Sequence, residues 1–295
     1  MHRGRRAAPI ERIRFAGLTF AYATWLRPST ADGYVADQSG FHLVGWDHAA
    51  NVIGHAQHVA CTPGNVRFVY ARRIVFARNR FLHLGGVGLD FDTGAQHDVV
   101  VGNRFEDISS AAIQVGGVDD VDHHPPHAAD WTHDDRITDN LVLNVGREFI
   151  DAAGIYVGFA TRTLVRHDDI DGVPWSGIAL GWGWGLYDPH SLPGLPNATS
   201  GAWGTWLRPT TSRGNRVLQN RIRNFLMEVW DGGAVYTQGR PERDPRALHH
   251  RARRRSRAHP ERRRATTSVS RLSRAPTRRH AEPRTHGWNP QRRSR

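Results

Sequence analysis

Lysine is absent from this 295-residue chain, and all 40 basic residues are arginine. That bias fits a GC-rich coding sequence. Cysteine is nearly absent too: a single Cys61 excludes an intrachain disulfide, leaves the compartment open, and reads as a small buried apolar residue. No stretch is long and apolar enough to cross a membrane as a helix, and Met1–Arg12 carries charge but no apolar core of a signal peptide. No segment keeps a helical period and no leucine-rich consensus recurs, which argues against helical repeats and leucine-rich repeats.

Acidic residues are scarce only at one end. From Arg240 onward there are 19 Arg against 4 acidic residues, whereas the first 239 residues hold 21 Arg and 24 acidic residues. The formal charge of +12 therefore belongs to the tail, and the body is mildly acidic. The tail lacks apolar periodicity and cannot bury enough surface to fold. A basic arm for nucleic acid is one reading. Out-of-frame translation of GC-rich DNA is the preferred one, because a solenoid that stops without a cap exposes its apolar end. Nucleic acid is accordingly not expected as a partner of the body. The expected organisation is a disordered segment 1–12, a folded domain 13–239 and a disordered tail 240–295.

What the body has is a repeat. Asn79, Asn103, Asn140, Asp168 and Asn220 each precede an apolar residue by two positions and follow one by three, namely Phe76, Val100, Ile137, Val165 and Val217. Downstream, a small residue opens an alternating triplet, at Gly88, Ala112, Gly154, Gly177 and Ala234, with offsets from the anchor of 9, 9, 14, 9 and 14. Short alternating strands between Gly and Asn turns, recurring about every 24 residues, predict an all-β right-handed parallel β-helix, a solenoid incomplete at its C-terminal end. Equivalent residues would stack at roughly 4.8 Å. The outer members of each triplet should fill the core. The middle members Asp90, Gln114, Tyr156, Ala179 and Tyr236 should line one outer face. The Asn ladder reads as structural, each amide satisfying turn backbone and its neighbours.

The two offsets of 14 come from loops that repeat one pattern, E-x-x-D-x-x-[G/A]-[I/V]-Y, at Glu148–Tyr156 and Glu228–Tyr236. With one coil between them, equivalent positions should stand about 9–10 Å apart. Carboxylates at that separation suit a general acid and a general base with water between them. The candidate catalytic residues are Asp151 and Asp231, with Glu148 and Glu228 as alternatives. Arg147 and Arg223 could instead pair with these acids. Trp175, Trp182 and Trp184, with Trp203 and Trp206 further on, suggest indole faces for sugar rings, with Asp90, Gln114, Tyr156 and Tyr236 beside them. The run Asp119–His127, continuing to His133, Asp134 and Asp135, matches no established metal spacing, so no metal and no cofactor is assigned.

Gly17–Phe20, Gly154–Gly158, Gly177–Gly185 and Trp230–Tyr236 together resemble the pectate-lyase-like superfamily of parallel β-helices. The resemblance covers residues 13–239 and is nearest to bacterial secreted proteins of glycoside hydrolase family 141. It implies action on polysaccharide or oligosaccharide outside the cell, with no membrane partner. A polysaccharide lyase, with Arg162 or Arg166 as base and Ca²⁺ as helper, is a second reading. A non-catalytic glycan-binding solenoid or inactive fragment is a third.

Overall fold

The computed structural model describes residues 2–30, 33–43, 59–183, 187–188, 207–238 and 248–253. The chain divides into two compact units, Met1–Arg257 and Ala258–Arg295, and every described residue lies in the first. The Arg-rich segment beyond residue 253 and Trp184, Trp203 and Trp206 fall outside the described residues.

The described chain is almost wholly β. Its one α-helix is the short Asp120–His123, and no helix is long and apolar enough to cross a membrane. Strands stack in three parallel faces that successive coils visit in the same order. The first face holds His2–Arg3, Gly64–Val69, Val87–Phe91, Ile113–Val115, Ile155–Val157, Ile178–Leu180 and Val235–Thr237. The second holds Arg14–Ala16, Val75–Ala77, Val99–Val101, Arg136–Thr138 and Leu164–Arg166. The third holds Thr19–Ala21, Arg80–Leu84, Arg104–Ile108, Leu141–Val145 and Asp169–Asp171. The long strand Arg216–Arg223 pairs with the last member of both latter faces and joins them. This is the architecture of a parallel β-helix. Backbone pairing runs to either side of residues 13–239, from His2–Arg3 to Leu248–Arg253, which pairs with Arg216–Arg223.

The sequence columns are the structural ones. Phe76, Val100, Ile137, Val165 and Val217 pair rung on rung. Phe81, Phe105, Val142, Ile170 and Ile222 form the next column, and Leu89, Ile113, Ile155, Ile178 and Val235 a third. All but Val235 are buried. Aromatic rings fill the N-terminal coils, with Phe15 on Phe76 at 4.6 Å and Phe81 on Phe105 at 4.5 Å. The triplets open on small residues because neighbouring coils crowd there. A Cβ on Gly154 would stand 2.7 Å from the Gly177 carbonyl, and one on Gly177 would stand 2.4 Å from Ile222.

The Asn ladder is continuous and buried. Asn103 Oδ1 accepts from the Asn79 N–H at 2.9 Å and from its side-chain amide at 3.0 Å, while Asn103 Nδ2 donates to the Phe76 carbonyl at 2.9 Å. Asn140 repeats the pattern, and Asn220 repeats its two bonds to backbone. Asn103→Ala should therefore destabilise the fold by about 1–3 kcal/mol for each group left unpaired, read by chemical denaturation. An unchanged midpoint would contradict the ladder's role.

Candidate active site

Both copies of the repeated motif hang from the preceding coil by the same backbone bonds. The amides of Glu148 and Phe149 share the Ser109 carbonyl, and those of Glu228 and Val229 share the Pro174 carbonyl. Downstream, Tyr156 and Tyr236 each register with Ala179, two rungs apart. The copies differ in their cover. A hairpin closing between Val35 and Leu43, tightened by Ser39 and Gly40 at positive φ, lies over the first copy.

The Asp151 carboxyl, only 5% exposed, sits beneath that hairpin. Its Oδ1 accepts from the Tyr34 hydroxyl at 3.2 Å and its Oδ2 from the Gly40 N–H at 3.1 Å. Burial pushes its pKa up to about 6 against those stabilising bonds, with the Asp37 charge adding to the rise. Asp37, also desolvated, is raised to about 6. Aromatic rings wall the place: Phe149 stacks on Tyr34 at 4.2 Å, and Trp25 meets Tyr34, His42 and Phe149 edge-on. His42 is buried, stacks on Tyr34, and finds no hydrogen-bond partner for either ring nitrogen among the described residues. Burial, then the Arg27 charge, lowers its pKa and keeps the imidazole neutral.

The hairpin tip also reaches the second copy. Gln38 donates to Asp231 Oδ2 at 3.0 Å and accepts from Gln238 at 3.0 Å, while Ser39 donates to Gln238 at 2.5 Å. Asp231 is exposed, and so are Glu148 and Glu228. Neither arginine expected as a partner for these acids approaches them closely enough to be one: Arg147 lies 3.9 Å from Asp107, and Arg223 pairs with Asp169 and Asp171.

The expected row Asp90, Gln114, Tyr156, Ala179 and Tyr236 is one register row of the first face. All of it but Tyr236, which is half-buried, is covered. Phe41 lies against Tyr156 at 5.1 Å and against Trp182 at 4.4 Å. Tyr156 is fully buried and donates its hydroxyl to the Gly181 carbonyl at 3.0 Å. Gln114 donates to Asp90 at 3.2 Å, and Arg67 pairs with Asp90 at 3.2 Å and with Asp92. Burial and the Asp92 charge still hold Asp90 near a pKa of about 8. Trp175 and Trp182 are buried as well, the former donating its indole N–H to the Asp231 carbonyl, so neither offers a ring face to a ligand in this arrangement. Beside the second copy, Trp230 is exposed, 75% accessible and adjacent to Asp231.

A solved structure titled glycoside hydrolase is similar to this chain at 28% sequence identity and a TM-score of 0.65. The match covers 81% of this chain but 39% of the other, so this chain spans well under half of that protein. No family model matches the chain, and no curated protein does.

Sequence reasoning missed Tyr34, Asp37, Gln38 and His42, which lie in an irregular stretch with no repeat to mark them. Trp230 was inside the repeated motif, but alternation alone does not tell an exposed indole from a buried one. Chemically, the site couples a shielded carboxyl, whose pKa of about 6 lets it hold a proton to higher pH than an ordinary aspartate, to an exposed carboxyl two rungs away. The first can give a proton and the second can take one.

Proposed function

We propose that this chain is the β-helix part of a carbohydrate-active enzyme that hydrolyses glycosidic bonds in a polysaccharide or oligosaccharide. Asp151 acts as general acid, Asp231 as general base, and Trp230 as a stacking platform for a sugar ring. The observation that carries this is Asp151 itself, desolvated to a pKa of about 6 in an aromatic-walled site and bridged by one hairpin to its repeat partner Asp231. The likeness to a glycoside hydrolase supports the substrate class. Two rungs of strand spacing, about 9–10 Å, suit an acid and base separated by water, hence inversion. Membership of the pectate-lyase-like superfamily near family 141, and an extracellular setting, belong to the same proposal.

The lyase reading is less well supported. Arg162 donates two hydrogen bonds to Asp134 and its pKa is raised by them, the wrong direction for a base. Arg166 is engaged by Gln219 on the second face.

Release of reducing ends from a panel of polysaccharides tests the proposal. The wild-type chain should release them and the Asp151→Asn, Asp231→Asn double variant should not. Release of unsaturated, ultraviolet-absorbing product instead would turn the assignment to a lyase. Trp230→Ala should raise KM about 5–30-fold with little change in kcat, the loss of roughly 1–2 kcal/mol of ring stacking. A change confined to kcat would remove Trp230 from substrate binding.

A further inference from the structure

Away from this site, one corner of the solenoid gathers metal-ligating side chains. Parallel bridges run Arg72–Gln96–His133–Thr161–Arg213 up successive coils. The next residue in each coil turns with positive φ, giving a corner column of Arg73, His97, Asp134, Arg162 and Gly214. His97 and Asp134 are thus stacked neighbours, with His133 alongside. Ligand atoms of His97, His133 and Asp134 all lie within 4.8 Å of one another. The two imidazoles meet edge-on at 5.2 Å, and His133 Nδ1 is 2.7 Å from Asp134 Oδ2.

We propose that His97, His133 and Asp134 form a binding site for a first-row divalent cation of the zinc class. Two imidazole nitrogens and one carboxylate oxygen suit a borderline ion, whereas calcium and magnesium take oxygen ligands. Zinc bonds of about 2.0–2.2 Å in a tetrahedron set ligand atoms roughly 3.4 Å apart, a contraction that side-chain rotation supplies. Water takes the fourth position. Arg162, bound to Asp134 at 2.7 and 2.6 Å, orients the carboxylate as outer partners of metal ligands do. Its positive charge works against the cation, so the site is a moderate binder that links two coils rather than a buried structural centre. Other corners of the solenoid carry His–Asp contacts with one imidazole each, His83 with Asp107 at 2.7 Å and His167 with Asp139 at 3.0 Å. They lack the second nitrogen and serve as internal controls.

Calorimetric titration of the full chain with zinc chloride tests the site, with circular dichroism to confirm that each variant is folded. His97→Asn keeps a residue that tolerates the positive φ, and His133→Ala removes the second imidazole. Each should weaken the tightest zinc event at least tenfold, and His167→Ala should leave it within twofold. Zinc should also raise the thermal midpoint of wild type but not of His97→Asn, by the linkage of binding to folding. Wild-type zinc affinity in both His97→Asn and His133→Ala would overturn the site. Displacement of zinc by equimolar calcium would overturn the assigned class of ion.

Discussion

Asp151→Asn is expected to lower glycoside turnover by about 10²–10⁴-fold, the usual loss when a general acid or base is removed. The pH dependence makes the prediction sharper. An acid must be protonated to act, and the Asp151 carboxyl, held near a pKa of about 6 by burial, empties as pH rises through that value. The wild-type rate should fall above pH about 6, and any residual rate in Asp151→Asn should lack that descending limb. Asp37 is the second part of the test. Its charge is among the influences that raise the Asp151 pKa. Asp37→Asn should therefore move the limb to lower pH without abolishing turnover. A wild-type pH profile in Asp151→Asn would remove Asp151 from the chemistry, whereas an immobile limb in Asp37→Asn would remove only the electrostatic link.

Asp168→Asn is expected to stabilise the fold at pH 8 by about 1–3 kcal/mol, the range for relieving one buried unpaired polar group, and by little at pH 5. Asp168 occupies an Asn position of the ladder. Its Oδ1 accepts from the Asn140 N–H and from the Asn140 amide, both at 2.8 Å, but its Oδ2 has no partner. At that place Asn140 donates Nδ2 to the Val100 carbonyl, and the carbonyl in register for Asp168 is that of Ile137. An ionised carboxylate there sets lone pairs against lone pairs, while a protonated one can donate. Burial accordingly raises its pKa to about 7, above the unfolded value of about 3.9. The native state holds a proton that the unfolded state has lost between pH about 4 and 7. Its stability therefore declines as pH rises through that window. Asn has no such titration, so the gain should grow with pH. Urea denaturation at pH 5 and pH 8 checks this, and a gain equal at both would show that ionisation is not its source.

Much of the fold was legible because one physical requirement recurred on every coil. An inward Asn, an apolar residue on either side and a small residue before the next strand each answer to close contact with the coil above. A second ladder was not legible. Asp98 takes the Ile74 N–H at 2.7 Å, Asp135 takes the Asp98 N–H at 2.8 Å, and Asn215 takes the Thr163 N–H at 2.9 Å. Residue type changes from rung to rung there, so no pattern marked it. Burial raises both aspartates, Asp98 to about 7. The paired Asp151 and Asp231 could be read from duplicated spacing, but not their unequal exposure. That depends on a hairpin more than 110 residues earlier in the chain, since Gly40 and Asp151 are separated by 111 positions. Trp175 and Trp182 are buried rather than open for the same reason: an aromatic beside a turn packs inward when another segment closes over it.

That hairpin has a kinetic consequence. Strand pairing in the main coils joins segments a few tens of residues apart, from 23 between Tyr156 and Ala179 to 66 between His2 and Phe68. The hydrogen bonds of the hairpin tip to Asp151, Asp231 and Gln238 span 111 to 200 residues. Loop closure over such lengths becomes favourable only when the intervening coils have stacked in register and shortened the path. Coils should therefore gain protection from hydrogen exchange before Gly40 does, and the acid at Asp151 should acquire its raised pKa as the last event of folding.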